Sequence, residues 1–171
     1  STENLFENCV VISDTKEFGG YGNAFWASSP EDGAHGPNGP RNVVYNCDGY
    51  SISDAVYLGG MNENWIFAWN RLRAKQGVGF FFKTASFDHI LKGNVVILED
   101  KNSPFILFAT PDCGGVELIG NTFSGGNGKL FSGLYRPLVE KDNRIIPLDT
   151  KLPRPRPQVP SIYEWQLKHK R

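Results

Sequence analysis

Short apolar strands followed by a turn recur along the chain, in the segments NLFENCVVI, NVVYNCDGY, NWIFAWNRL, DHILKGNVV and GVELIGNTF. Aligning these copies places one residue of each in a common column: Cys9, Cys47, Asn70, Asn94 and Asn121. The steps between these residues are 38, 23, 24 and 27. A period near 24 residues that is built from short strands and turns predicts a solenoid. We therefore expect an all-β fold of about five stacked turns.

A second apolar strand follows in each turn, for example in DAVYLGG, GVGFFFK and SPFILFA. Residues two apart on a strand share a face, so alternate positions are expected to point into the solenoid. The alignment predicts two inward columns, which are Val56, Phe80 and Ile106, and then Leu58, Phe82 and Phe108. Like side chains then stack along the axis and build a continuous core.

The intervening positions should face outward, and they are unusually apolar. One outward column contains Tyr57, Phe81 and Leu107, and the alignment extends it to Phe25. The next contains Gly59, Lys83 and Ala109. Soluble proteins seldom leave a contiguous apolar stripe bare. We expect the C-terminal tail, another subunit or a sugar-like ligand to cover it.

The asparagine column has its own physical logic. A buried amide has two donors and two acceptor lone pairs, and an unpaired buried group costs about 1–3 kcal/mol, so stacked asparagines should bond to one another and to the backbone. Asparagine also tolerates the left-handed backbone that tight turns require, and we expect it to supply these turns. For Cys9 and Cys47 we expect burial as small side chains rather than a bridge. Cys113 lies in a different turn, and the cysteine and histidine spacings predict no metal site.

The repeat fades after Gly133, so we divide the chain into a solenoid, residues 1–133, and an extended Pro-rich tail, residues 134–171. PRPRPQVP should be polyproline-like, and SIYEWQLKHKR either forms a short terminal helix or lies extended. We expect the tail to run back along the solenoid and to dock Ile162, Tyr163 and Trp165 on an apolar surface. The chain opens inside a repeat, so we also expect a larger parent protein that supplies earlier turns and any export signal.

Composition narrows the classes of partner. The 18 basic and 18 acidic residues balance, which argues against a nucleic-acid partner or an anionic membrane surface. No stretch approaches the roughly 18 apolar residues that a membrane span needs. The 19 glycines and 11 prolines suit a β protein with many turns.

The strand-turn rungs, the asparagine column and the period near 24 residues resemble the right-handed parallel β-helix of pectate-lyase-like proteins, over residues 4–133. The stretch from DAVYLGGMNENW through KTASFDH to ATPDCGGVELIGNTF also resembles bacterial right-handed parallel β-helix repeat proteins. The resemblance implies a secreted or periplasmic protein that faces a polysaccharide or oligosaccharide, part of a lyase or a hydrolase. Calcium serves many pectate-lyase-like enzymes, but the Asp-rich strand patterns of their calcium-dependent members are missing here. We therefore expect no cofactor.

The candidate catalytic residues are Lys83, Asp88 and Asp112. Lys83 is a candidate base for lyase chemistry, and two carboxylates about 5–9.5 Å apart suit hydrolysis. The alignment stacks Asn62, Ser86 and Asp112 in one column after the second strand. The alternative is that these Asp and Asn side chains cap turns.

Further candidates concern substrate binding and the long connections. Candidate substrate-binding residues are Phe25, Tyr57, Phe81, Asn62 and Arg71. A solvated face is the alternative for Arg71, and His89 is expected to be structural because it shares its column with Trp65 and Val116. The Gly/Pro-rich insertion between Trp26 and Asn42 carries Glu31, Asp32 and His35, a possible site or metal-binding edge.

Three hypotheses follow: a polysaccharide-degrading β-helix, a non-catalytic carbohydrate-binding module, and a structural module whose aromatic stripe is a homo-oligomer interface.

Overall fold

The computed structural model describes residues 2–15, 22–27, 39–134 and 136–170. In chain order its elements are β1 Leu5–Glu7, β2 Val10–Ser13, β3 Phe25–Ala27, β4 Val43–Tyr45, β5 Asp48–Ser51, β6 Val56–Gly59, β7 Asn62–Glu63, β8 Ile66–Ala68, β9 Arg71–Ala74, β10 Phe80–Lys83, β11 Ser86–Phe87, β12 Ile90–Lys92, β13 Val95–Leu98, β14 Ile106–Phe108, β15 Glu117–Ile119, β16 Thr122–Gly125, β17 Phe131–Gly133, β18 Val139–Lys141, β19 Arg144–Ile146 and α1 Ile162–Lys168. In these residues no helix has the length and apolar character needed to cross a membrane.

The strands form a parallel β-helix, which confirms the predicted fold class. The first sheet has the order β1-β4-β8-β12-β15-β18, the second β2-β5-β9-β13-β16-β19, and the third β3-β6-β10-β14-β17. A short fourth ladder pairs β7 with β11. Each turn of the chain is here called a rung. The first five rungs contribute one strand to each main sheet, and the sixth contributes β18 and β19 to the first two sheets. Strands of three or four residues persist because each pairs in register with the rung on either side.

The core follows the predicted inward columns. Phe80 pairs with Val56 on one side and Ile106 on the other, and all three are fully buried. The neighbouring column of Leu58, Phe82 and Phe108 is also buried. The first sheet adds a further inward column, made of Val44, Phe67, Leu91 and Leu118.

The asparagine ladder is confirmed and is one member longer than expected. Asn70 donates from Nδ2 to Asn94 Oδ1 at 3.0 Å, and Asn94 donates in the same way to Asn121. Each Oδ1 also accepts the backbone N–H of the asparagine one rung earlier. Asn121 continues the chain of bonds to Asn143 Oδ1 at 2.9 Å.

The left-handed turn residue is not the ladder asparagine, which corrects the expectation. It is the residue just before the ladder position, with φ between +51° and +64° at Asn8, Asn46, Trp69, Gly93, Gly120 and Asp142. This residue turns the chain from the first sheet into the second. The ladder amide that follows then points inward, where it pairs with its neighbours.

The sheets continue past Gly133, the predicted end of the solenoid. β18 pairs with β15, and β19 pairs with β16. The apolar pattern in the sequence ends there because Glu140 takes the inward position that Leu118 holds one rung earlier. In the structure Glu140 and Ile145, the last two inward residues, are both exposed.

Residues 147–161, here called the return segment, run back along the solenoid. Ser124 Oγ on β16 donates to Pro147 O, and Arg71 Nη1 on β9 donates to Leu152 O. Near the other end, the Tyr45 hydroxyl donates to Val159 O at 2.6 Å. The segment therefore passes from late rungs to early ones.

Helix α1 is held at its start rather than through an apolar face. Glu7 on β1 accepts Ser161 Oγ at 2.7 Å and the N–H of Ile162 at 2.8 Å, while Ser161 Oγ accepts the N–H of Glu164 as an N-cap. The predicted docking of Tyr163 and Trp165 is wrong, since they are 59% and 49% exposed.

Candidate functional site

The outer face of the third sheet carries a row of apolar side chains that the sheet register aligns. Trp26 pairs with Tyr57, Tyr57 with Phe81, and Phe81 with Leu107. The rings of Tyr57 and Phe81 lie almost parallel, 7° apart, with centroids 4.8 Å apart. Trp26 is 49% exposed and the other three are half-buried. We call these four residues the outer row.

Phe25 does not belong to the outer row, which corrects the predicted extension. It pairs with Val56 in the inward column, and its ring meets Phe67 edge to face at 6.3 Å. Phe25 and Trp26 are adjacent, and a shift of one residue in register exchanges the two faces of a strand. Sequence reasoning therefore missed Trp26, although a second aromatic next to Phe25 was the available signal.

Lys83 lies on the same face, beside the outer row. It pairs with Gly59, as predicted. The space that a side chain would take at Gly59 is occupied, because a Cβ added there would lie 2.6 Å from Tyr57 Cε1. The Tyr57 ring therefore leans across the glycine toward the column that holds Lys83, which is half-buried.

Asn62 serves the backbone instead of an open surface. It pairs with Ser86, as predicted, but both side chains are fully buried. Its Nδ2 donates to Gly59 O at 2.6 Å and to Gly60 O at 2.7 Å, which closes the turn after β6. Its predicted contact with substrate is therefore wrong, and the turn-capping alternative describes it.

Asp112 is not stacked on Asn62 and Ser86, contrary to the alignment. Gly114 bridges to Phe87 and donates its N–H to Ser86 O, so the buried Cys113 follows Ser86 in that column. The turn after β14 is longer than its equivalents, which displaces Asp112 by one residue. Asp112 is exposed, and a hydrogen bond from the Thr110 side chain lowers the pKa of its carboxyl group.

Asp88 occupies a second column of left-handed residues. Its φ is +56°, close to that of Asn64 one rung earlier and Gly115 one rung later. Its N–H donates to Gly114 O, and its carboxylate lies where a side chain of Gly115 would be. The side chain is exposed, and the position is that of a turn residue.

Arg71 is engaged on a different face. Its guanidinium binds both carboxylate oxygens of Asp48, at 2.9 and 2.5 Å, and also the return segment. It lies on the second sheet, whereas the outer row lies on the third. The structure therefore does not bring Arg71 together with the aromatic candidates.

His89 is a core residue, as expected. It is fully buried, stacks on Phe82 at 5.2 Å, and accepts the N–H of Trp65 at Nδ1. Its proton therefore resides on Nε2, which donates to Ser86 Oγ 2.8 Å away. In this tautomer His89 does not accept the Ser86 proton, and burial lowers the pKa of His89 to about 3.

The candidate residues thus separate into four locations, one of which is the second sheet, where Arg71 lies. Tyr57, Phe81 and Lys83 share the outer face of the third sheet, while Asp88 and Asp112 lie in turns and Asn62 lies inside. Glu31, Asp32 and His35 fall outside the described residues. Within the described ranges, no three His, Cys, Asp or Glu side chains converge as a metal site would require.

No protein-family model, curated protein or solved structure matches the chain.

Proposed function

We propose that this chain is a carbohydrate-binding parallel β-helix of the pectate-lyase-like kind, and that a polysaccharide lies along the outer row beside Lys83. The observation that carries the proposal is the alignment of Trp26, Tyr57, Phe81 and Leu107 on one half-exposed face. Secretion or a periplasmic location belongs to the same proposal.

The chemistry of the row favours an acidic polymer. Tyr57 and Phe81 cover each other's faces, so they turn ring edges toward solvent. Ring edges carry the positive end of the aromatic quadrupole, and the Lys83 ammonium adds charge of the same sign. Carboxylates and hydroxyl oxygens of a uronate chain complement such a strip. Repeats spaced by one strand, about 4.8 Å, suit an extended chain that contacts several rungs at once.

Binding without turnover is the function we assign to this chain. Support comes from Asp112, which lies outside the Ser86 column through which the alignment placed it one turn from Asp88. His89 and Ser86 form a structural hydrogen bond in the wrong tautomer for nucleophile activation.

The test is affinity electrophoresis through gels that contain polygalacturonate, alginate, xylan or galactan. Retardation by the uronate polymers is expected, weakening as salt rises. Phe81→Ala should weaken it at least tenfold, and Lys83→Gln should weaken retardation by uronate polymers more than by neutral ones. Matched controls lie on the second sheet, where Tyr50→Ala and Arg73→Gln remove an outward ring and an outward cation.

Three results would overturn the proposal. The first is a lack of retardation by every polymer, and the second is equal effects of the third-sheet and second-sheet variants. The third is a dimer or trimer in sedimentation that Phe81→Ala dissociates, which would make the outer row an interface between copies. A parallel assay for new reducing ends or unsaturated uronates tests the non-catalytic assignment directly.

A further inference from the structure

The ladder column changes its chemistry in the first two rungs, where thiols replace amides. Val10 pairs in register with Asp48, so the preceding residues, Cys9 and Cys47, lie one strand spacing apart. The N–H of Asp48 donates to Cys9 O at 2.8 Å across this step. A spacing of about 4.8 Å between neighbouring strands lies inside the Cα separation of roughly 4.4–6.8 Å that disulfides span.

Both sulfur atoms are directed into the same part of the interior. Cys47 is fully buried, and Cys9 is half-buried against the same hydrophobic core. Cys47 Sγ lies 3.5 Å from Phe6 O, and Cys9 Sγ lies 3.4 Å from Glu7 O. Phe6 and Glu7 are neighbours on β1, so the two thiols meet the same stretch of the first rung.

The two thiols make weaker hydrogen bonds than the amides that hold the same column in later rungs. At the asparagine rungs, Nδ2 donates to a carbonyl of the previous rung at 2.8–2.9 Å, for example from Asn94 to Phe67 O. A thiol is a weaker donor, and Cys47 Sγ lies 3.5 Å from the equivalent carbonyl, Phe6 O, and 3.3 Å from Tyr45 O. Burial, with the adjacent Cys9 thiol, raises the pKa of Cys47 to about 11.

We propose that Cys9 and Cys47 are a disulfide-forming pair that links the first two rungs when a small-molecule disulfide such as oxidised glutathione is present. The more accessible Cys9 thiolate attacks one glutathione sulfur and releases one reduced glutathione. The Cys47 thiolate then attacks the Cys9 sulfur of the mixed disulfide and releases the second. The two thiol protons, exchanged through solvent, and two electrons pass to the two glutathione molecules that leave.

The test incubates the folded protein with oxidised glutathione, alkylates the remaining thiols and maps the peptides without reduction. The expected product is a peptide pair joined through Cys9 and Cys47 that has lost two hydrogens, with Cys113 alkylated after unfolding. Its rate of formation should rise with pH beyond 9, because the buried thiol reacts as the thiolate. Cys113→Ala is the matched control and should give the same link, whereas Cys9→Ser should give none.

Oxidised Cys113→Ala should also have a Tm roughly 5–15 °C above its reduced form, because the link closes a long loop. A link to Cys113, a mixture of pairings identical to that of the urea-unfolded chain, or a stable glutathione adduct on Cys9 would overturn the inference. An unchanged or lower Tm in the linked protein would contradict the claim that the stacked rungs accommodate the bond.

Discussion

Replacing Asn94 with alanine tests the ladder at its centre. The Asn94 amide makes four bonds: it accepts the N–H and Nδ2 of Asn70 at 3.0 Å, and it donates to Phe67 O at 2.8 Å and to Asn121 Oδ1 at 3.0 Å. Its side chain is 1% exposed, so water does not replace these bonds without opening the fold.

The magnitude follows from what is left unpaired. Asn70 Nδ2 retains Val44 O, and Asn121 Oδ1 retains the N–H of residue 94. The N–H of Asn70 loses its acceptor and Phe67 O loses a donor. At about 1–3 kcal/mol for each of these two buried unsatisfied groups, we expect Asn94→Ala to cost about 2–6 kcal/mol. That is a large fraction of the 5–15 kcal/mol typical of a domain.

The assay is urea unfolding followed by circular dichroism, and the comparison is the terminal member of the same ladder. Asn143 makes equivalent bonds, but it is half-buried, so water can satisfy the groups it leaves. Asn143→Ala should therefore cost about 1 kcal/mol. Asn94→Asp should cost more than Asn94→Ala, because it removes both donors and buries a charge that faces two acceptors. Equal losses for Asn94→Ala and Asn143→Ala would refute the reasoning that burial sets the value of a rung.

Three further outcomes are expected. Burial lowers the pKa of His89 from 6.5 in the unfolded chain to about 3 in the fold, so the contribution of neutral His89 to the free energy of unfolding is complete above pH 6.5. This contribution declines as pH falls, by about 2 kcal/mol at pH 5. The pH-dependent unfolding of His89→Gln should lack this decline, and a profile identical to that of the unmutated protein would contradict the expectation. Gly93 and Gly120 share φ +64°, but a Cβ added at Gly93 would lie 2.9 Å from the Trp69 ring, whereas one added at Gly120 would have no atom within 4 Å. In thermal melts, Gly120→Ala should lower the free energy of unfolding by about 1–2 kcal/mol, and Gly93→Ala should lower it clearly more. Equal losses would show that the Trp69 ring plays no part. Glu7→Gln should speed proteolytic release of α1, because it removes the charge from the acceptor that holds the start of the helix, and an unchanged cleavage rate would count against that role.

The sequence was sufficient for the fold because its signals repeat. Apolar alternation at Val56, Phe80 and Ile106 agrees with the asparagine column, and each copy supports the others. The end of the solenoid was missed because Glu140 takes an inward position without burial.

The candidate site was less predictable, because it depends on single-residue register. Phe25 and Trp26 exchange faces with a slip of one residue, and Asp112 moved away from Ser86 through one longer turn. Neither strand periodicity nor residue type fixes an offset of that size. Arg71 differed for another reason: its partner Leu152 lies 81 residues away in the return segment, outside the repeat. Its partner Asp48 follows Cys47 as Arg71 follows Asn70, so the alignment did contain that pair.

The path of residues 147–161 has a consequence for how the protein unfolds. A stack of repeats ordinarily frays from either end, one coil at a time, since each coil touches only its neighbours. Here the last helix is tied to Glu7 in the first strand, so peeling away either terminus also breaks bonds at the opposite one. The two ends of the solenoid are therefore linked, and the rate of amide hydrogen exchange in β1 should rise or fall together with that in α1.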